Sequence, residues 1–123
     1  MPASHFEAAV SRQPGTGVIG LKGEVDAFAE EALNAAYADA ARDNPASVLL
    51  DFREVEYINS TGIALVVGLL AQARASRRQV LACGLSDHYL EIFQITRLSD
   101  FMTIYPDEAS ALAAAGSSPA LET

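Results

Sequence analysis

The sequence predicts an α/β fold: a small mixed β-sheet with largely parallel inner strands and about four helices. Three features carry that expectation. Strand-like and helix-like segments alternate along most of the chain, which calls for right-handed crossovers between parallel strands. Ser47–Phe52 is a short apolar run with β-branched and aromatic character, the pattern of a strand covered on both faces and placed at the sheet's centre. The length, 123 residues with half of them apolar and 20% charged, suits one globular domain with a sizeable core.

Taken in order, His5–Ser11 and Gly17–Leu21 are β-like runs around Gln13-Pro14-Gly15-Thr16, whose Pro-Gly pair favours a turn, and together they predict a hairpin. From Phe28 to Asp43 the apolar residues Phe28, Ala32, Leu33, Ala36, Tyr37 and Ala40 recur at spacings of three and four, an amphipathic helix stopped by Asn44-Pro45. After the central strand, Ser60-Thr61-Gly62 opens a second helix to about Ser76, with Ser and Thr suited to capping its free amides. Gln79–Cys83 reads as a strand, Asp87–Ile95 as a helix on Leu90, Ile92 and Phe93, and Phe101–Tyr105 as the last strand. Pro106–Ala115 predicts a closing helix with Pro in its first turn. The domain is thus expected over residues 1–115, with a loose tail at Gly116–Thr123.

In such sheets, loops leaving the carboxyl ends of the parallel strands gather on one edge, where sites form. Three loops are expected there: Gly23–Asp26, Tyr57–Gly62 and Gly84–His88.

Charge and composition exclude several functions. A net charge of −8 has the wrong sign for a chain that neutralises phosphates, so no direct nucleic-acid binding is expected. The longest apolar run, Ile63–Ala73, is interrupted by Gly68 and Gln72 and falls short of the roughly 20 residues of a membrane span, so no membrane insertion is expected. The first residues show neither a basic nor an apolar leader segment, which together with a single cysteine, Cys83, leads to the expectation of a cytoplasmic protein without disulfides. With no Cys/His cluster there is no zinc pattern, and neither a metal nor a cofactor is expected.

Read together, Lys22-Gly23-Glu24-Val25-Asp26, then Val48-Leu49-Leu50-Asp51 leading through Tyr57-Ile58-Asn59-Ser60-Thr61-Gly62-Ile63, then Leu90–Leu98 resemble, in order and spacing, the STAS domain of bacterial anti-sigma factor antagonists. The resemblance implies a partner switch without catalysis of its own. The unmodified antagonist would bind an anti-sigma factor that is also a serine kinase. Phosphorylation would end that binding, and a PP2C-type phosphatase would be a further partner. By the same resemblance Ser60 is the phosphoacceptor, Thr61, Gly62 and Ile63 complete the helix start, and Asp26 and Asn59 are its neighbours at the partner-binding edge. The family commonly has Asp before the acceptor; here Asn59 stands there, and the rate of phosphorylation turns on that difference. It also leaves room for a second implied role, a non-phosphorylated STAS subunit of an ABC-type membrane (lipid) transport complex docked on an ATPase.

Physically, a serine at a helix N-terminus suits a phosphate, because free amides and the positive end of the helix dipole stabilise added negative charge. Spacing alone is equally met by Ser60 and Thr61 as ordinary caps, by Asn59 as a turn-former and by Asp26 as the cap of the helix at Phe28. Ser60, His88 and Asp26 also supply the residue types of a nucleophilic triad, but position 58 is Ile rather than the Gly of a nucleophile elbow, and no enzyme is expected. Cys83 is expected as buried packing, and Arg74, Arg77 and Arg78 as the solvated end of a helix. Ala64, Leu65 and Gly68 cannot all face the sheet and are candidates for a docking patch.

Overall fold

The computed structural model describes residues 6–117. The chain runs β1 (Phe6–Gln13), β2 (Thr16–Val25), a 3-10 turn (Ala27–Ala29), α1 (Glu30–Ala40), β3 (Ser47–Ile58), α2 (Ser60–Ala75), β4 (Gln79–Cys83), α3 (Asp87–Ile95), a second 3-10 turn (Leu98–Asp100), β5 (Thr103–Tyr105) and α4 (Glu108–Ser117). The five strands lie in the order β1-β2-β3-β4-β5. Among the described residues only the β1–β2 hairpin is antiparallel; β2, β3, β4 and β5 are parallel to one another. The mixed sheet with a parallel interior, centred on β3, is the expected α/β architecture.

Strand order explains how the helices are placed. Three successive right-handed crossovers that advance in one direction put their helices on the same face of a sheet. Accordingly the inward residues Ile19 and Leu21 of β2, Val48, Leu50 and Phe52 of β3, and Val80 and Ala82 of β4 share one core with Leu33 and Tyr37 of α1, Val66 and Leu69 of α2, and Phe93 of α3. Phe52 and Phe93 meet edge to face, centroids 5.7 Å apart. The alternate residues Val18, Leu49, Leu81 and Cys83 point to the other side, where Ala111 of α4 closes a smaller second core. Helices on both faces account for the unbroken apolar run in β3.

Several expected boundaries shift. His5 lies outside the described residues, and β1 runs on to Gln13, so Pro14-Gly15 is a two-residue turn with Gly15 at φ +74, where a side chain would be strained. β2 does not stop at Leu21: Gly23, Glu24 and Val25, expected in a loop, continue the strand, as Arg53–Ile58 continue β3. This extension pairs Lys22 with Glu54 and Val25 with Ile58, past two register irregularities. The first helix is a 3-10 turn followed by α1 ending at Ala40, so its buried face begins at Ala29 and leaves Phe28 and Ala32 exposed. β5 begins at Thr103, with Phe101 exposed before it. α4 begins at Glu108, with Asp107 Oδ1 accepting from the Ser110 amide, so Pro106 lies outside the helix. Its run to Ser117 places Gly116 and Ser117, expected in the tail, within the helix; the rest of the expected tail, 118–123, lies outside the described residues.

Arg78 also departs from expectation. α2 ends at Ala75, and Arg77 takes a left-handed backbone (φ 58) as the chain turns back. Arg78 then reaches across to the α1–β3 connection, where Nε donates to the Pro45 carbonyl, Nη1 to the Tyr37 hydroxyl and Nη2 to Asn44 Oδ1, all within 2.9 Å. It is a tie between elements rather than a solvated helix end.

Candidate functional site

The carboxyl ends of the parallel strands form one edge, and each strand there hands over to a helical turn through a side-chain cap. After β2, Asp26 Oδ1 accepts from the Phe28 amide at 3.0 Å. After β3, Asn59 Oδ1 accepts from the Gly62 amide at 2.8 Å. After β4, Ser86 Oγ accepts from the Tyr89 amide at 3.3 Å. Short oxygen-bearing side chains are suited to this task because they satisfy amides that have no partner inside the first turn. Asp26 caps the turn at Phe28 as expected.

The cap of α2 is Asn59, not Ser60 or Thr61, and this changes what Ser60 can do. With Asn59 in extended backbone outside the helix, Ser60 is the first helical residue, exposed, and its hydroxyl is not used for capping. Thr61 is exposed beside it, while Gly62 is buried and Ile63 half-buried against the core. The Ile63 amide donates to the Asn59 carbonyl at 2.9 Å, closing the first turn of α2. The amides of Ser60 and Thr61 precede that bond and have no intrahelical partner, so the turn presents N–H groups beside an exposed hydroxyl.

The turn is held by its neighbours. The Asn59 amide donates to the Val25 carbonyl at 3.2 Å, joining the ends of β2 and β3. Gly62 lies directly over that carbonyl: a Cβ there would come 2.0 Å from the Val25 oxygen. The Ile58 amide donates to the Tyr89 hydroxyl at 2.9 Å, which fixes α3 to the same strand end. The 3-10 turn after Asp26 packs against α2, so Asp26, Asn59, Ser60, Thr61, Gly62 and Ile63 belong to one edge.

Two exposed aromatics flank it, Phe28 at 68% and Tyr57 at 53%; the apolar spacing places Phe28 on the helix face toward the core, and Tyr57 is expected in a loop. An open hollow of about 480 Å3 beside Phe28 is lined by Ala27, Glu30, Glu31 and Asn34. Leu33, Ala36, Tyr37 and Ala40 are buried as the spacing expects, while at the start of the segment the 3-10 turn that Asp26 caps buries Ala29 in place of Phe28.

The triad residue types do not form a triad. Asp26 is occupied as a cap, the His88 ring meets the Tyr89 ring edge to face with centroids 4.8 Å apart, and among the described residues no hydrogen bond joins either to Ser60. Cys83 is fully buried beside Asp51, and burial, reinforced by that carboxylate, pushes its thiol up to about 12. A thiol held neutral in this way is packing rather than a nucleophile. Along α2, Leu65 packs onto the core while Ala64, Val67 and Gly68 stay exposed. No helix among the described residues is long and apolar enough to cross a membrane.

Comparison with known proteins agrees with this architecture. The chain is 31% identical over 84 residues, 68% of its length and 74% of the relative's, to the anti-sigma-B factor antagonist of Listeria monocytogenes. The fold is similar to that of an anti-sigma-factor antagonist (STAS) domain protein from Planctomyces limnophilus, with a TM-score of 0.77 at 20% identity over 91% of this chain and 99% of that one. It is also similar to the Bacillus cell fate determinant SpoIIAA in its phosphorylated form, with a TM-score of 0.67 at 24% identity over 88% and 96% of the two chains. The sequence model of the STAS domain matches residues 7–111, which take in the whole capped edge and the described strands but for Phe6, and the chain therefore belongs to the STAS domain family.

Proposed function

We propose that this chain is an anti-sigma factor antagonist that binds a serine-kinase anti-sigma factor through the edge around Ser60 and is released when Ser60 is phosphorylated, regulating transcription indirectly. The observation that carries the reading is the position of Ser60: exposed, first in α2, its hydroxyl free of capping duty because Asn59 performs it. The 31% identity to a protein named anti-sigma-B factor antagonist supports the partner class. The exposed Phe28 and Tyr57 on the same edge supply apolar anchors of the kind that dominate interfaces.

Asn59 is compatible with this chemistry. It keeps the oxygen that Asp would offer the Gly62 amide, but without a carboxylate next to the phosphate to be added. A phosphate would bring about −1.5 to −2 charges, which the helix N-terminus stabilises by up to about 2 kcal/mol in the free protein. In the complex those amides are covered. An unpaired charge at a buried interface costs on the order of 2–5 kcal/mol, so affinity falls by roughly 30-fold to several thousand-fold. A PP2C-type phosphatase would reset the switch.

Incubation with the cognate kinase and ATP, followed by peptide mapping, should place the phosphate on Ser60. Phosphate on Thr61 or Ser86 alone would reject the assignment. Calorimetry should show Ser60→Ala binding like the unmodified protein and resisting release by ATP, with Ser60→Asp weaker; equal affinity of the phosphorylated and unphosphorylated protein would remove Ser60 as the switch.

A further inference from the structure

The start of α2 is ambiguous in the sequence. Asn59, Ser60 and Thr61 stand in a row, and all three residue types cap helices, so local preference does not decide where the helix begins. In the structure Asn59 is the cap, its Oδ1 2.8 Å from the Gly62 amide. With the cap one residue later, Ser60 Oγ would be the acceptor for an amide of the first turn and Thr61 would become the first helical residue. What holds Asn59 in place lies outside α2. Its amide donates to the Val25 carbonyl at 3.2 Å, at the end of β2. The residue before it, Ile58, is buried, and β4 pairs with β3 only as far as Cys83 opposite Asp51. Past that point the Ile58 amide is taken by a side chain, the Tyr89 hydroxyl of α3, at 2.9 Å. The ring that carries this hydroxyl is itself fixed. Ser86 Oγ accepts from the Tyr89 amide at 3.3 Å, the His88 ring lies edge to face against the Tyr89 ring, and Phe93, one turn along α3, packs on Phe52 of β3.

We propose that Tyr89 is a positioning residue for the modification of this turn: its hydroxyl holds the end of β3 so that α2 starts with Asn59 as cap, and it thereby selects Ser60 over Thr61 as the phosphoacceptor. The proposal rests on the switch reading above and adds the residue that sets its target. Ser60 and Thr61 are adjacent and both exposed, so access does not separate them. Register does. A slip of one residue converts the Ser60 hydroxyl from a free group into a capping one and moves Thr61 into the place Ser60 had. Asn and Ser cap almost equally well, so the two registers differ little in themselves. A buried amide left without an acceptor is costly, and one hydrogen bond beside the cap is enough to decide between them. Tyr89 does this from another helix, without touching Ser60.

Tyr89→Phe keeps the ring and removes the acceptor of the Ile58 amide. Steady-state kinetics with the cognate kinase and ATP, combined with phosphopeptide mapping, should show kcat at Ser60 lowered by about tenfold to a hundredfold, the range that a small misplacement of a reacting group produces. KM should change by less than about twofold, because the edge that meets the kinase is intact, and phosphate should appear on Thr61. Amide hydrogen exchange, which needs no kinase, should quicken at Ile58, Asn59 and Gly62 while Leu49 and Leu81 stay protected. Arg78→Gln loosens the other end of α2 and should alter neither kcat nor the modified residue, which separates positioning from a general loss of stability. Asn59→Ala gives the cap to Ser60 directly and should move phosphate to Thr61 even if Tyr89→Phe does not fold. A native chain that takes no phosphate on Ser60 overturns the switch reading and this proposal with it. With Ser60 phosphorylated in the native chain, any of three results overturns this proposal alone: unchanged kcat and site in Tyr89→Phe, an equal loss in Arg78→Gln, or phosphate on Ser60 alone in Asn59→Ala.

Discussion

Two glycines in one helix should respond to the same substitution with opposite signs. At Gly62 a Cβ would meet the Val25 carbonyl oxygen at 2.0 Å, and the backbone at the end of β2 has to shift. The helix propensity that Ala gains over Gly, about 1 kcal/mol, is smaller than the cost of such overpacking, so Gly62→Ala should destabilise by about 1–3 kcal/mol. At Gly68, mid-helix and exposed, nothing lies within 4 Å, so Gly68→Ala should stabilise by up to about 1 kcal/mol. Urea titration of both variants reads the two signs directly. Asn59 is the third sensitive position of the helix start. Asn59→Ala removes the acceptor of the Gly62 amide and should cost about 1 kcal/mol, whereas Asn59→Asp keeps it and adds charge at the favourable end of the dipole, so its denaturation midpoint should equal or exceed that of the native chain.

Among the elements, Arg78 does the work of a short cross-link. Its three hydrogen bonds join the end of the α2–β4 turn to Tyr37 of α1 and to the loop entering β3. Arg78→Gln should lower stability by about 1–3 kcal/mol in a urea titration, because the Pro45 carbonyl and the Tyr37 hydroxyl lose a charged donor. Arg42→Gln, which removes an exposed ion pair with Asp39, should change it by less than about 1 kcal/mol. Nothing in the local sequence marks Arg78 for this role, since its partners lie 33 to 41 residues away. The same limit explains which elements were legible. β4 and α3 have the expected bounds because apolar pattern alone defines them. The second halves of β2 and β3 were hidden because Lys22, Glu24, Arg53, Glu54 and Glu56 interrupt the apolar pattern, and what holds them is backbone pairing between distant segments. At the site, the strand-to-helix turn and Ser60 were legible from motif and spacing. The role of Asn59 was not, because an Asn before a helix serves a turn and a cap with the same chemistry.

For the molecule as a whole, two cores of unequal size share one sheet, and Cys83 reports on the smaller. Its folded pKa, about 12, lies above the ordinary 9.0, so between those values the unfolded chain has lost a proton that the folded chain retains. Stability from this group is therefore complete below about pH 9 and declines as pH rises toward about 12. Stability measured at about pH 8 and about pH 10.5 should fall more in the native chain than in Cys83→Ala, and the native thiol should resist alkylation until the chain unfolds.

The smaller core also has a place in time. A chain emerging from the ribosome folds from its first residues onward. The three crossovers can dock their helices as each parallel strand is added, yet among the described residues the strip formed by Val18, Leu49 and Leu81 is covered by Tyr105 and by α4, the last elements to be made. Every nascent copy therefore passes through a stage in which one side of a nearly finished sheet is wet and apolar. Such a stage is a natural target for chaperones, and a chain stalled before α4 would expose the surface by which defective proteins are sorted for destruction.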